Sequence, residues 1–257
     1  MITNQNSKQG ISLVFLVIFA LCMAAGYIMW SSENPPAIWT FIFVISGWIV
    51  SLSFHEFGHA FTAYRFGDKS VAHKGYLTLN PLKYTNIYMS ILLPVVFLIM
   101  GGIGFPGGAV YINMAAIKTP KQKSLISAAG PIATAIFATV LIAPFTLNIA
   151  NSEQNLPFWS AVSLLAFLQL SALFLNLLPV PGLDGFGIFE PFLKGDLRKK
   201  VHNIAGLVFL AIFFLLFNDT FFSRAFWKTI AITAHLLGMN FDLIREGFQT
   251  FKFWNYL

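Results

Sequence analysis

Residues 53–61 read SFHEFGHAF, and within them His55, Glu56 and His59 form the pattern HExxH. On a helix, positions four apart share a face, so His55 and His59 can hold one metal ion. Glu56, one residue along, turns far enough to miss that ion yet reach a water bound to it. Zn2+ lowers the pKa of such a water from ~15.7 to ~7, and the glutamate can take its proton. The bland alternative is a packed pair of histidines bonded to their neighbours. Glu56 would then need a partner, and its helix offers no Lys or Arg before Arg65.

A closed structural zinc site has four protein ligands, whereas a hydrolytic one has three and leaves a place for water. Four further residues in apolar surroundings could supply the third: Asp184, His202, His235 and Cys22. Asp184 stands out in NLLPVPGLDGFGIF, where Pro179, Pro181, Gly182 and Gly185 interrupt a helix. Backbone freed at membrane depth in this way is tolerated only in protein or beside a wet cavity. A turn aspartate at a helix end is the competing reading of the same residue.

These residues sit in an oily chain. Of 257 residues, 57% are hydrophobic and 10% charged, against about 25% charged in a soluble domain, so the composition is that of an integral membrane protein. The net charge of +6 then reflects Lys and Arg gathered on one side of a bilayer rather than a nucleic-acid partner. A single cysteine, Cys22, excludes an internal disulfide.

Apolar segments fall at 11–30, 37–63, 87–104, 125–149, 158–178, 203–217 and 225–239. The first is read as a retained span, a cleaved signal being the alternative. Loops 64–86, 111–124 and 190–202 are basic, which places them in the cytoplasm. Segment 87–104 therefore has a basic flank on both sides, and a single crossing cannot begin and end on one side. With Pro94 inside it and GGIGFPGG after it, it reads as a re-entrant segment, a short true span with a misassigned loop being the alternative.

The expected fold is an all-α polytopic membrane protein. It has about six transmembrane helices, both termini cytoplasmic, and a re-entrant, β-containing segment near the site. It is one membrane domain over 1–257, with 37–200 as catalytic core, 1–36 as first span and loop, and 201–257 as C-terminal spans and tail. The last stretch, FDLIREGFQTFKFWNYL, reads as an interfacial helix on the cytoplasmic surface, or else as a frayed tail.

On HEFGH at 55–59, NLLPVPGLDG at 176–185, AAGP at 128–131 and GYLTLNPLKY at 75–84, the sequence resembles the site-2 protease family of intramembrane zinc metalloproteases. The resemblance covers about residues 45–190 and departs from the family's frequent residues at Thr134, Tyr84 and Gly182. It implies Zn2+ held by His55, His59 and Asp184, Glu56 as catalytic base, and Asn176 positioning the substrate strand. It also implies a multi-pass protein of the cell membrane acting on a transmembrane protein within the lipid bilayer, such as a membrane-bound regulator of the anti-sigma-factor kind.

The substrate would be unwound and paired with backbone edges near 75–80 or 106–112. Two other readings remain open. One is a membrane protease that trims prenylated C-termini, with Glu190 or Glu153 as third ligand. The other is a metal-binding carrier, or an inactive family member that binds transmembrane helices.

Overall fold

The computed structural model describes residues 10–84, 110–150 and 154–256. Nine α-helices are found among them, with short 3-10 turns between, and no strand. They are α1 (Leu13–Ser31), α2 (Ile38–Phe66), the one-turn α3 (Ser70–His73), α4 (Pro120–Thr146), α5 (Leu156–Asn176), the short α6 (Asp184–Phe189), α7 (Gly195–Phe217), α8 (Phe221–Leu236) and α9 (Phe241–Phe251). Five of these, α1, α2, α4, α5 and α7, are long and apolar enough to cross a membrane.

The helix starts follow from local chemistry. Ser12 Oγ accepts the Val14 N–H at 3.2 Å and opens α1. Thr119 and Gln122 form a reciprocal capping box ahead of Pro120, whose missing N–H costs nothing at a helix start. At its far end α2 stops at Gly67, which takes φ +123°, a conformation that a Cβ would strain.

Helices α2 and α5 form the centre, packed through small residues as membrane helices commonly are. A Cβ on Gly47 of α2 would come 2.5 Å from Leu165 Cδ2, so the two helices approach as closely as glycine allows. Around that contact Val44, Trp48, Leu164, Leu165 and Leu168 make one buried core, joined by Ala25 and Met29 of α1. A second core joins α4, α5 and α8 through Ile142, Leu170, Ile230 and Ala234. A third lies at the His55 end, where Ala60 and Ala63 meet Tyr76, Tyr84, Ile117 and Ile126.

Three contacts fix the ends of the described chain. The Ser12 N–H donates to the Thr78 carbonyl at 2.9 Å, which places the start of α1 at the end of the bundle holding the HExxH residues. Phe251 of α9 stacks near Phe41, 5.2 Å between ring centroids, and Gly247 of α9 lies against the Ser160 carbonyl. Phe41 precedes His59 by 18 residues of one helix, roughly 27 Å.

The described residues therefore begin and end at opposite ends of the bundle. At 16 residues, α8 falls short of the ~20 a crossing needs. The C-terminal segment is also not a frayed tail. It is a helix whose Leu243, Ile244 and Phe251 are buried against the bundle, while Asp242 and Arg245 pair in solvent.

Segment 87–104, read as re-entrant, lies outside the described residues. The 75–80 stretch is not a strand edge. Tyr76–Thr78 is a 3-10 turn, and Leu79 takes φ +59°.

Candidate metal centre

HEFGH occupies the inner face of α2 near its C-terminal end, and His55, Glu56 and His59 are 8%, 2% and 7% exposed. The i, i+4 spacing brings the two rings edge to face, 4.8 Å between centroids, with the Nε2 atoms 3.1 Å apart. Two nitrogens bound to one tetrahedral zinc at ~2.05 Å each would lie about 3.3 Å apart, so this pair is already spaced for a shared ion.

Asp184 reaches the same point from across the bundle. Its Oδ2 lies 3.1 Å from His55 Nε2 and its Oδ1 3.3 Å from His59 Nε2. Together the three residues offer one ligand atom each within 4.8 Å of one another. The hairpin that turns Asp184 inward depends on two glycines. Gly182 takes φ +97°, and a Cβ on Gly185 would strike the Leu177 and Leu178 carbonyls. Asp184 then opens α6, where the helix N-terminus favours an anionic side chain.

Helix α4 supplies the backing. His59 Nδ1 stands 2.7 Å from the Ile126 carbonyl, which can only accept, so Nδ1 carries the proton and Nε2 presents its lone pair. His55 Nδ1 lies 2.9 Å from Thr134 Oγ1, an arrangement that fits the same tautomer. Such partners fix the orientation of metal-binding imidazoles and raise their basicity.

Gly130 faces both Nε2 atoms, and a Cβ there would collide with them. On the other side of the same contact, a Cβ on Gly58 would come 2.7 Å from the Ala129 carbonyl. The pocket is thus cleared by glycine exactly where an ion of zinc's size would sit, and the donor set of two imidazoles and a carboxylate suits zinc.

The sequence foreshadowed AAGP only as a shared motif. Its physical role as the cleared wall of the site, and those of Thr134 and the Ile126 carbonyl, were not legible from residue types. A small-residue run opening a span beside an HExxH helix was the one available signal.

Among the described residues no Lys or Arg pairs with Glu56. Its Oε2 accepts the Val110 N–H at 3.1 Å, from the non-helical segment that follows the undescribed residues. Tyr84 reaches over the same helix, donating its hydroxyl to the Ser53 carbonyl at 3.0 Å. Burial, with the Glu56 charge adding to it, pushes that phenol far up, so it stays a donor. Asn176, 7% exposed, closes α5 eight residues before Asp184.

Of the other ligands considered from the sequence, Glu153 lies outside the described residues and the rest are elsewhere. Glu190 pairs with Arg198 at 2.9 Å and His202 at 2.7 Å. His235 is exposed near the end of α8, and Cys22 packs on Gly47.

Residues 40–152 match peptidase family M50. The chain is 41% identical over 248 residues to a Mycolicibacterium smegmatis protein named "Putative zinc metalloprotease Rip2", covering 95% of this chain and 94% of that one. The protein of the same name from Mycobacterium tuberculosis is 40% identical over 261 residues, 98% of each chain. A Bacillus subtilis protein, "Putative zinc metalloprotease YwhC", is 29% identical over 197 residues, 71% of this chain and 83% of that one. No solved structure matches.

Proposed function

The chain belongs to peptidase family M50, and from that premise we propose that it is a zinc metalloprotease cutting a peptide bond in or beside a transmembrane segment of another membrane protein. The observation that carries this reading is the meeting of His55, His59 and Asp184 at one point inside an apolar bundle, with Glu56 next to them in the helix.

His55 and His59, through Nε2, and Asp184, through its carboxylate, would hold the zinc. Bound there, the metal supplies Lewis acidity to a water and to the scissile carbonyl. Glu56 takes a proton from the attacking water and returns it to the leaving amine. With Oε2 occupied by the Val110 N–H, the Oε1 atom is left for that transfer. The buried setting keeps bulk water away and strengthens each of these contacts.

A substrate helix hides its carbonyls in i to i−4 hydrogen bonds, so it must unwind before attack. Asn176 is the residue we assign to holding the unwound strand. We also place the site toward the cytoplasmic face of the cell membrane, because Arg65, Lys69, Lys74, Lys83, Lys118, Lys121 and Lys123 cluster in the loops at that end. The reading of 87–104 as a re-entrant segment rests on the charge of its flanks. Residues 37–200 form the catalytic core of a single membrane domain, and membrane-bound regulators such as anti-sigma factors are the substrate class in view.

A carrier would spread its ligands along a path across the bilayer, whereas these three offer ligand atoms within 4.8 Å of one another. The deciding experiment compares wild type with Glu56→Gln on a single-span model peptide in lipid. Hydrolysis by wild type and none by the variant supports the protease. Undiminished cleavage by the variant removes Glu56 as the base.

A further inference from the structure

Asp68 takes no part in the steps assigned to His55, Glu56, His59 and Asp184, yet it is a carboxylate only 1% exposed. A charge so buried persists only where its lone pairs are matched. Here all the matching is local to one place. Oδ1 accepts the Ser70 N–H at 2.9 Å and the Ser70 hydroxyl at 2.6 Å. Oδ2 accepts the Asn113 N–H at 2.7 Å, from 45 residues away in sequence. Although burial works against it, these bonds and the nearby Lys74 ammonium hold the carboxyl below the ordinary aspartate range, so it stays ionised.

Other contacts hold the same short segment. Lys74 Nζ donates to the Tyr111 carbonyl at 3.0 Å and sits 4.3 Å from the centroid of the Tyr111 ring. Gly67, one residue before Asp68, lets the chain near Ala116 come close. A Cβ there would stand 3.2 Å from the Ala116 carbonyl. The 110–116 stretch is therefore laid against the end of α2. Its first described residue is Val110, whose N–H is the hydrogen bond on Glu56. Val110 lies three residue steps from Asn113, a reach of about 10 Å at full extension, so anchoring Asn113 leaves Val110 little freedom.

We propose that Asp68 is a positioning residue for hydrolysis: it clamps the 110–113 backbone to the end of α2 and so keeps the Val110 N–H on Glu56. The clamp selects which carboxylate oxygen is engaged and which is left for proton transfer. This rests on the reading of Glu56 as the base. Released from the clamp, the carboxylate would rotate, and small losses of alignment at a reacting group lower the rate strongly.

The test uses the full zinc-loaded chain in lipid nanodiscs, with a single-span model peptide cleaved by wild type. Asp68→Asn keeps the size of the side chain but sets an amide against the Asn113 N–H. We expect it to retain its zinc, to show faster amide exchange over 110–113, and to lose about 10–100-fold in kcat with KM within about twofold. A purely structural role would move stability without that split.

Unchanged exchange over 110–113 overturns the clamp, and so does faster exchange with kcat unchanged. If Asp68→Asn loses zinc, Ser70→Ala makes the test, since it removes a single bond from the carboxylate. Faster exchange at 110–113 with a severalfold lower kcat supports the clamp, and wild-type behaviour in both overturns it. Glu56→Gln is assayed alongside. If that variant is fully active, the failure belongs to the base assignment and not to the clamp.

Discussion

Gly130 of α4 faces His59 Nε2 with no side chain between them, and a Cβ at that position would overlap both this nitrogen and His55 Nε2. The absence of one carbon thus leaves the space in which an ion can be held. Gly130→Ala should fold, because alanine suits a helix better than glycine, but lose most of its zinc and all measurable cleavage. Metal content after gel filtration checks this. A Gly130→Ala protein carrying zinc at the wild-type ratio would contradict it.

Thr134 Oγ1 stands 2.9 Å from His55 Nδ1, on the far side of the ring from the Nε2 atom that faces Asp184. Thr134→Val removes the acceptor at Nδ1 while keeping the shape, and should weaken zinc binding by about 10–100-fold. Competition with a calibrated chelator measures the change. Thr134→Ser, which retains the hydroxyl, should restore most of the loss.

Asp68 gives a pH dependence with a definite sign. Its folded carboxyl lies below the unfolded value of about 3.9, so its contribution to stability is present above that value and is lost as pH falls through the folded one. The stability difference between wild type and Asp68→Asn should therefore be constant from neutral pH down to about 4. Below that it should shrink. Thermal unfolding in detergent at a series of pH values reads it directly, and a difference that vanished above pH 5 would be the wrong outcome.

The far end of the bundle should be separable from the chemistry. Gly247 of α9 lies on the Ser160 carbonyl, so Gly247→Leu forces the helices apart at a cost of about 1–3 kcal/mol. Unfolding temperature should drop. Zinc content should not, because His55, His59 and Asp184 meet at the other end of the bundle.

Much of the site could be read in the sequence, because its chemistry is local. His55, Glu56 and His59 share one helix, and their spacing alone predicts a common face. Asp184 was legible for a different reason: prolines and glycines mark the place where a helix must break. Longer-range relations were not legible. Nothing in the residue types pairs Asp68 with Asn113, Val110 with Glu56, or Ile126 with His59, since each is a backbone group meeting a side chain across a packed interface.

Segment 225–239 is apolar enough to read as a crossing, and among the described residues it forms part of a 16-residue helix. The C-terminal helix that follows docks on α5 and α2 at the end opposite the site.

The most direct test of the account is a metal count on the purified chain beside His59→Ala and Asp184→Ala. The account predicts about one zinc per wild-type chain and its loss in both variants. Zinc retained at the wild-type ratio in Asp184→Ala would contradict it, because the hairpin at 177–185 would then have no part in holding the ion.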